Sequence, residues 1–277
     1  MTDVDFTLSE LLASNLARDF KDGELGFTGL ATGAATALYA TAIPLVAMEL
    51  ARRTHAPNLT VLLAGWVHNP VLSALDELPD AEFDERLRDL PCESQLLTYP
   101  GQFALKRGHI SFGFGSGVQI DRVGNINSVC IGDHDRPKVR LVGPILLPEH
   151  FSMFGREYVM MPRHDKRTFV EKVDYVAGVG YPGGSEGRRE LGLVSGGPEL
   201  VITPKCIFDF DKVEGRMKVR SIHPNVSIDD LRQSTGFDLG DLDGVPQTAT
   251  PSSEEISIIR NEIDPRGILL GNRNVAL

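Results

Sequence analysis

Apolar residues recur at helical spacing at the start of the chain. The positions that lie three or four residues apart are Leu8, Leu11, Leu12, Leu16 and Phe20. Thr7 precedes them and Glu10 lies three residues further on, which is the capping-box pattern of a helix start. The pattern predicts a helix that stops before Asp22-Gly23.

Two short apolar runs follow, each of a length that suits a buried strand. They are Leu25–Leu30 and Leu59–Ala64. Between them, Pro44 is well placed as the first residue of a helix that continues to about Arg53, because the first helical position needs no backbone N–H. The order strand, helix, strand is typical of a βαβ unit and predicts a parallel sheet.

Most of the remaining chain alternates between strands and loops. Glu77–Leu90 is acidic and predicted to be partly helical, and the glycine-rich segment Gly180–Gly197 is predicted to be a loop. Gly124-Asn125 indicates a hairpin turn. Further strands are predicted at His109–Phe114, Gly117–Ile120, Ile126–Ile131, Tyr158–Met161, Val170–Val179, Leu200–Thr203, Lys205–Phe210 and Met217–Ser221, and helices at Ser227 and Ser252. We expect a single α/β domain over residues 1–277, with a mainly parallel sheet flanked by helices.

Composition narrows the class of protein further. The 277 residues include 28 Lys+Arg and 38 Asp+Glu, a net charge of −10, so nonspecific binding to nucleic acid or to a membrane surface is disfavoured as the main activity. The apolar run Ala31–Leu50 is interrupted by Pro44, Glu49 and several threonines, which argues against a membrane span. Cys92, Cys130 and Cys206 are far apart and are interpreted as reduced thiols. We therefore expect a cytoplasmic protein.

The run Gly113–Gly117 has the glycine spacing of a nucleotide-binding loop but not its context. A dinucleotide fingerprint opens a helix, whereas Val118-Gln119-Ile120-Asp121 is strand-like. Two interpretations stay open. The glycines either permit close packing between strands, or they expose backbone N–H groups to a ligand at Gly115, Ser116 and Gly117.

Polar side chains near this run are candidates for substrate contacts. Gln119 and Asn127 could hydrogen-bond an acyl or carboxylate group, while Asn125 suits the turn itself. Among the seven histidines no HxH or HExxH spacing occurs, and no GxSxG nucleophile elbow is present. His68 is the histidine of most interest, because it follows an apolar strand whose end would border a binding crevice. Arg163, Lys166 and Arg167 are interpreted as solvated charge, with phosphate binding as the alternative.

Several segments together resemble the β-subunit of the glutaconate CoA-transferase type, within family I CoA-transferases. They are Ala56-Pro57-Asn58, GVQIDRVGNINSVCIGDHDRPKVRLVG, MMPRHDKRTFVEKVDYV, LGLVSGGPELVITPKCIFDFD, HPNVSIDDLRQSTGFDL and IRNEIDPRG. The resemblance extends over most of residues 7–267. It implies an α/β domain that acts on acyl-CoA thioesters, with an active site shared between an α-type and a β-type chain. In the transferases a β-subunit glutamate attacks the thioester and becomes a glutamyl-CoA thioester.

The chain departs from that pattern at its central residue. Counting from Pro57 places Ala64 where the nucleophilic glutamate is expected, and a methyl group cannot attack a thioester. Two other departures are Gly143–His150, where the transferases have a glycine-rich loop, and the long Ala/Thr stretch Gly29–Ala42.

Three hypotheses follow from the resemblance and its departures. The first is a β-type subunit of a heteromeric enzyme that transfers CoA to or from a carboxylic acid. The second is a hydrolase, ring-opening hydrolase or decarboxylase of acyl-CoA, and the third is a non-catalytic subunit that completes a partner's pocket. We expect an α-type partner in a heterodimer or heterotetramer, CoA thioester as the substrate, and no permanently bound cofactor or metal. Candidate catalytic groups are His68, Asp76, Glu77, Glu149 and His150, and candidate substrate-binding residues are Ala64, Gly65, Gly115, Ser116, Gly117, Gln119 and Asn127.

Overall fold

The structure is a computed structural model that describes residues 5–96, 109–193 and 196–271. The chain divides into two compact units. The first consists of Met1–Phe114 together with Ala249–Leu277, and the second is Gly115–Thr248. The expectation of one domain over the whole chain stays a prediction.

Helices and strands alternate throughout the described residues. The helices are α1 (Leu8–Ala17), α2 (Ala34–Ala37), α3 (Ile43–Thr54), α4 (Arg86–Asp89), α5 (Leu147–Met153), α6 (Gly184–Glu190), α7 (Ile228–Ser234) and α8 (Ser253–Ile258). The strands are β1 (Leu25–Thr28), β2 (Thr60–Leu63), β3 (Val67–Pro70), β4 (Cys92–Gln95), β5 (Phe112–Gly115), β6 (Gln119–Asp121), β7 (Ile126–Asn127), β8 (Cys130–Ile131), β9 (Val139–Arg140), β10 (Arg156–Met160), β11 (Phe169–Val170), β12 (Pro198–Ile202), β13 (Cys206–Asp211) and β14 (Arg216–Ile222).

The first unit is built on a mixed sheet with the strand order β5, β1, β2, β3, β4. β1 runs parallel to β2 and to β5, whereas β3 pairs antiparallel with both β2 and β4. Gly26 lies in β1 where a Cβ atom would come within 2.4 Å of the Phe112 ring and 2.6 Å of the Met48 sulfur. The predicted βαβ unit is thus confirmed, and helix α3 packs against it through a close approach that only glycine permits.

The helix before β2 begins earlier than the sequence pattern predicts. Helical backbone runs from Ala34 to Thr54, and a π turn at Leu38–Ala42 lies immediately before Pro44. The wider turn accommodates a proline, which has no N–H for the regular helical ladder. By length and composition alone this 21-residue stretch could cross a membrane, but 72% of its most apolar window is buried within the structure, as in a core helix.

The terminal parts of the chain meet within the first unit. The predicted capping boxes at Thr7–Glu10 and Ser252–Glu255 are both present. Arg260 donates to both carboxylate oxygens of Glu10, at 2.6 and 2.8 Å, and Arg18 binds Glu255 at 3.0 and 2.7 Å. Two bidentate ion pairs therefore join α1 to the α8 region.

The second unit contains a sheet in which β10 and β12 are parallel and β12, β13 and β14 are antiparallel. A smaller sheet has the order β11, β6, β7, and β8 pairs with β9. The hydrophobic core of the second unit contains Ile120, Phe151, Val159, Phe169, Val201 and Phe208. The α/β class is confirmed, although antiparallel pairs take a larger share than expected.

Two local predictions in this unit are wrong. Of the expected strand Val170–Val179 only Val170 lies in a strand, which is β11 (Phe169–Val170) and pairs with β6. Further along, the backbone N–H of Asp174 donates to the Gln119 side chain and not to a strand. The expected loop Gly180–Gly197 contains helix α6, while its residues Val194 and Ser195 lie outside the described part. The buried Arg188 guanidinium on α6 donates to the carbonyls of Val179, Gly180 and Phe151, which holds this glycine-rich segment in place.

Candidate functional site

The turn after β2 has an unusual backbone at the position where the resemblance implies a glutamate. Ala64 and Gly65 both have positive φ, at 55° and 80°, and the N–H of Trp66 donates to the carbonyl of Leu63 at 3.2 Å. Consecutive left-handed residues of this kind suit a tight hairpin turn. Glycine adopts this conformation freely, but an alanine there is strained, and such strain is concentrated at functional sites. Ala64 is 8% exposed.

His68 lies on the strand that leaves this turn. It pairs with Leu62 of β2 on one side and with Ser94 of β4 on the other. Burial lowers the pKa of its imidazole, and the nearby Glu93 carboxylate only partly opposes this. Its Nδ1 is buried and has no hydrogen-bond partner among the described residues. His68 is therefore a neutral base beside the turn.

The other carboxylates singled out near this region are engaged in surface ion pairs. Asp76 binds Arg266 at 2.7 Å and is 89% exposed, and Glu77 pairs with Arg86. Exposed pairs of this kind contribute little to stability, and neither carboxylate shows the burial that would adapt it for proton transfer.

The glycines of the Gly115–Gly117 segment are both required by close packing. A Cβ atom on Gly117 would lie 2.4 Å from Ile126 and 2.8 Å from the carbonyl oxygen of Asn127. A Cβ atom on Gly115 would lie 2.6 Å from Leu147 and 2.7 Å from Oε1 of Glu157. The segment continues into β6 and not into a helix, as expected. Ser116 and Gly117 are partly exposed, and contact of this segment with a ligand stays a prediction.

The two amides proposed for substrate contacts bind each other and the protein backbone. Asn127 donates to Oε1 of Gln119 at 2.7 Å and to the carbonyl of Cys130 at 2.7 Å. Gln119 donates to Asp174 at 3.1 Å, and Asn127 accepts from the N–H of Val129. Both side chains are buried, and the hydrogen bonds account for their place beside the Gly115–Gly117 segment as positioning groups.

A buried acid–base pair lies directly under Gly115. Glu157 on β10 is 0% exposed and His150 on α5 is 5% exposed. Nδ1 of His150 and Oε1 of Glu157 are 3.1 Å apart, and the His150 ring stacks on Phe154 at 4.3 Å. Burial raises the pKa of the Glu157 carboxyl, while His150 opposes the shift. Glu149, the neighbouring candidate, is half-buried on the same helix.

Sequence reasoning found His150 but missed Glu157. A signal was present, because Glu157 is a lone carboxylate directly before the apolar run Tyr158–Met161. A carboxylate in a buried strand rarely lacks a partner. The resemblance gave no role to this position, and the partner lies seven residues earlier on another element.

The fold and these residues define a class of protein. A family model described as coenzyme A transferase matches residues 101–234. The β-type subunit of glutaconate CoA-transferase from Acidaminococcus fermentans is 30% identical over 263 residues, which is 94% of this chain and 94% of that protein. The chain belongs to the coenzyme A transferase family, and the resemblance stated from its motifs is confirmed.

Individual relatives extend the comparison. The crystal structure of glutaconate coenzyme A-transferase from Acidaminococcus fermentans superposes with a TM-score of 0.76, at 30% identity, over 96% of this chain and 98% of that one. The β-type subunit of 3-oxoadipate CoA-transferase from Pseudomonas knackmussii is 29% identical over 92% of each chain. The cholesterol ring-cleaving hydrolase IpdB subunit of Mycobacterium tuberculosis is 33% identical over 54% of this chain and 59% of its own length.

A further solved structure shares the fold alone. The decarboxylase AibA/AibB superposes with a TM-score of 0.75 at 23% identity, over 95% of this chain and 97% of that one. The same scaffold is therefore found in proteins named for transfer, for hydrolysis and for decarboxylation.

Proposed function

We propose that the chain is the β-type subunit of a heteromeric CoA-transferase-family enzyme that acts on an acyl-CoA thioester together with an α-type partner. Family membership and the β-type relatives support this assignment. The observation that carries the mechanistic part is the β2 turn, where the strained backbone is present but Ala64 supplies only a methyl group.

This turn favours a reaction without an acyl-enzyme on the chain. A ping-pong transfer needs a carboxylate nucleophile, and neither Leu63 nor Gly65 provides one. Hydrolysis, carbon–carbon cleavage or decarboxylation of a CoA-linked acid needs a bound water or a proton donor instead. The likeness to a ring-cleaving hydrolase subunit supports this second candidate. His68, a neutral base beside the turn, is the described group best suited to take a proton there.

A trapping experiment separates the two candidates. The assembled complex is incubated with glutaconyl-CoA or 3-oxoadipyl-CoA, reduced with borohydride, and the mass of each chain is measured. Borohydride would convert a thioester-activated carboxyl to a primary alcohol and release CoA, so a trapped side chain loses mass. We expect no mass change on this chain, and we expect the Ala64→Glu variant to show that loss as the positive control. A mass loss on the wild-type chain at Asp76, Glu77 or Glu149 would restore ordinary CoA transfer as the leading assignment.

Analysis of the products distinguishes hydrolysis, decarboxylation and CoA transfer. Release of free CoA without an acceptor acid indicates hydrolysis, release of carbon dioxide indicates decarboxylation, and dependence on added acetate indicates transfer. We expect the isolated chain to be inactive and to gain activity only with its partner. Robust turnover by the chain alone would exclude a shared active site, and turnover that depends only on partner residues would leave this chain a completing subunit.

A further inference from the structure

The carboxyl group of Glu157 lies in an environment that disfavours a negative charge. Its side chain is fully buried, and Oε2 has no hydrogen-bond donor among the described residues. Its surroundings include Leu147, which packs against Gly115 beside it. An ionised carboxylate in such a place would lose several kcal/mol of hydration free energy, and a single 3.1 Å contact to His150 leaves half of the carboxylate unsatisfied.

A protonated carboxyl fits these contacts better. One oxygen then carries a proton that needs one acceptor, and Nδ1 of His150 is that acceptor in the tautomer that carries its ring hydrogen on Nε2. The remaining carbonyl oxygen is left without a donor, which costs less than an unpaired charge. Burial also raises the pKa of this carboxyl, in agreement with the geometry.

We infer that Glu157 is a neutral acid that donates its proton from Oε1 to Nδ1 of His150, and that this pair is the positioning support of the Gly115–Gly117 segment. Oε1 occupies the space that a side chain on residue 115 would fill, at 2.7 Å from the ideal Cβ position. Helix α5 supplies both His150 and Leu147, so the pair and its apolar neighbour hold the same glycine from one helix. Movement of either would displace the backbone above them.

The role of this support in catalysis rests on the proposed function and on the sequence-based expectation that Gly115–Gly117 contacts the acyl-CoA. Glu157 is fully buried and does not itself reach a substrate in this chain, so it is a positioning residue. Its effect should therefore be on binding geometry, with the chemistry supplied elsewhere.

The first measurement tests whether the Glu157 carboxyl is protonated, and it does not depend on enzyme activity. Infrared spectra of the wild-type complex and of Glu157→Gln are recorded in D₂O at neutral pH, where most other carboxyl groups are ionised. We expect a protonated-carboxyl C=O band in the wild-type spectrum that Glu157→Gln lacks. A spectrum in which the substitution removes only carboxylate intensity would overturn the neutral acid.

The second measurement tests the support, with two buried histidines as a matched pair. His150→Gln removes the acceptor of Glu157. His164→Gln removes a histidine that is likewise buried and likewise stacked, on Phe169 at 4.0 Å, but that hydrogen-bonds Thr203 and Thr235 instead. We expect amide hydrogen exchange at residues 115–117 to accelerate by about tenfold in His150→Gln only. Equal acceleration in both variants, or in neither, would refute the support.

The third measurement connects the support to the substrate. In the assembled enzyme, His150→Gln should raise KM for the acyl-CoA by about tenfold, with a smaller effect on kcat. His164→Gln, the buried histidine outside this support, should stay near wild type. If the wild-type enzyme turns over no acyl-CoA, the proposed function fails. The infrared and exchange results still show whether Glu157 is protonated and whether the Glu157–His150 pair supports residues 115–117.

Discussion

The β2–β3 turn and the Glu157–His150 pair are opposite in what they present to a substrate. The turn keeps a left-handed backbone at Ala64 and Gly65, which is strained at the alanine, but it has no reactive side chain there. The pair has the side chains of an acid–base catalyst, yet both are buried and their contacts are internal. The turn therefore has the backbone geometry of a catalytic position without a reactive side chain. The pair has reactive side chains that a substrate cannot reach.

This difference teaches that residue type alone does not identify a site in this chain. A glutamate next to a histidine looks catalytic by composition, but burial makes it a support. An alanine looks inert, but its left-handed φ indicates that the backbone geometry there is maintained against a cost of roughly 1–2 kcal/mol.

Acid should destabilise the protein through buried histidines whose pKa is lowered by burial. Burial lowers the pKa of His164 to about 3 and that of His223 to about 4. Both values lie below the unfolded pKa of about 6.5, so the unfolded chain binds more protons between those values. Their contribution is complete above about pH 6.5 and is lost as the pH falls towards 4, at up to about 1.4 kcal/mol per pH unit for each histidine.

Urea unfolding of wild type and of His223→Gln at pH 7 and at about pH 4.5 measures this loss. We expect the stability of the variant to fall less steeply with acid than that of wild type. Parallel pH dependence in the two proteins would show that His223 is not a source of the acid sensitivity.

Gly115→Ala should destabilise the second unit by about 1–3 kcal/mol, because the new methyl group would overlap Leu147 and the Glu157 carboxyl. Glu157→Asp withdraws the carboxyl by one methylene, so the double variant should lose less than the sum of the two single changes. Denaturant unfolding in a double-mutant cycle measures the coupling.

Gly29→Ala is a matched control for Gly115→Ala. Its Cβ atom would meet the flexible end of the Glu82 side chain at 3.1 Å, which can move aside. Equal costs at Gly29 and Gly115 would contradict the close packing of Gly115 on Glu157.

Ala64→Leu should reduce turnover of an acyl-CoA by about tenfold, equivalent to about 1.4 kcal/mol of transition-state stabilisation. The bulkier side chain would occupy the pocket that the proposed function places beside the turn. Steady-state kinetics and thermal unfolding of the complex are compared with the same substitution at exposed Ala74. Wild-type kinetics in Ala64→Leu would remove this turn from the acyl pocket.

Ala64→Gly should raise the free energy of unfolding by up to about 1 kcal/mol, because glycine adopts positive φ without strain. Asn225→Gly, at φ 67°, should gain less, since asparagine tolerates this region better than alanine. A loss of stability in Ala64→Gly, measured by urea unfolding, would show that the alanine methyl group contributes more through packing than it costs in strain.

Local signals in the sequence predicted much of the fold. The capping boxes at Thr7 and Ser252 and the βαβ unit all depend on neighbouring residues or on short apolar runs, and all are present. Strands β3 and β4 were not predicted, because both lie in a stretch of weak periodicity and β4 pairs with β3, a segment more than 20 residues earlier in the chain.

The candidate site was only partly predictable, because it too depends on contacts between segments that are distant in the sequence. The motif resemblance located Ala64 and the glycine spacing located Gly115 and Gly117, but neither could show that Gln119 and Asn127 bind each other. Burial is a property of the folded chain, so the difference between exposed Asp76 and buried Glu157 is invisible from the residue types alone. The substrate-binding roles of these residues stay predictions.

The ion pair between Arg260 and Glu10 joins residues 250 positions apart, and this has a consequence for biosynthesis. A ribosome releases the chain from its N-terminus, so Gly115–Thr248 is complete before the segment that contains Arg260 has been made. Glu10 on α1 must therefore wait for its ion-pair partner while the second unit is already complete. We expect a chain truncated after residue 249 to show protease resistance in the second unit and faster cleavage in the first, so that the order of folding reverses the order of synthesis.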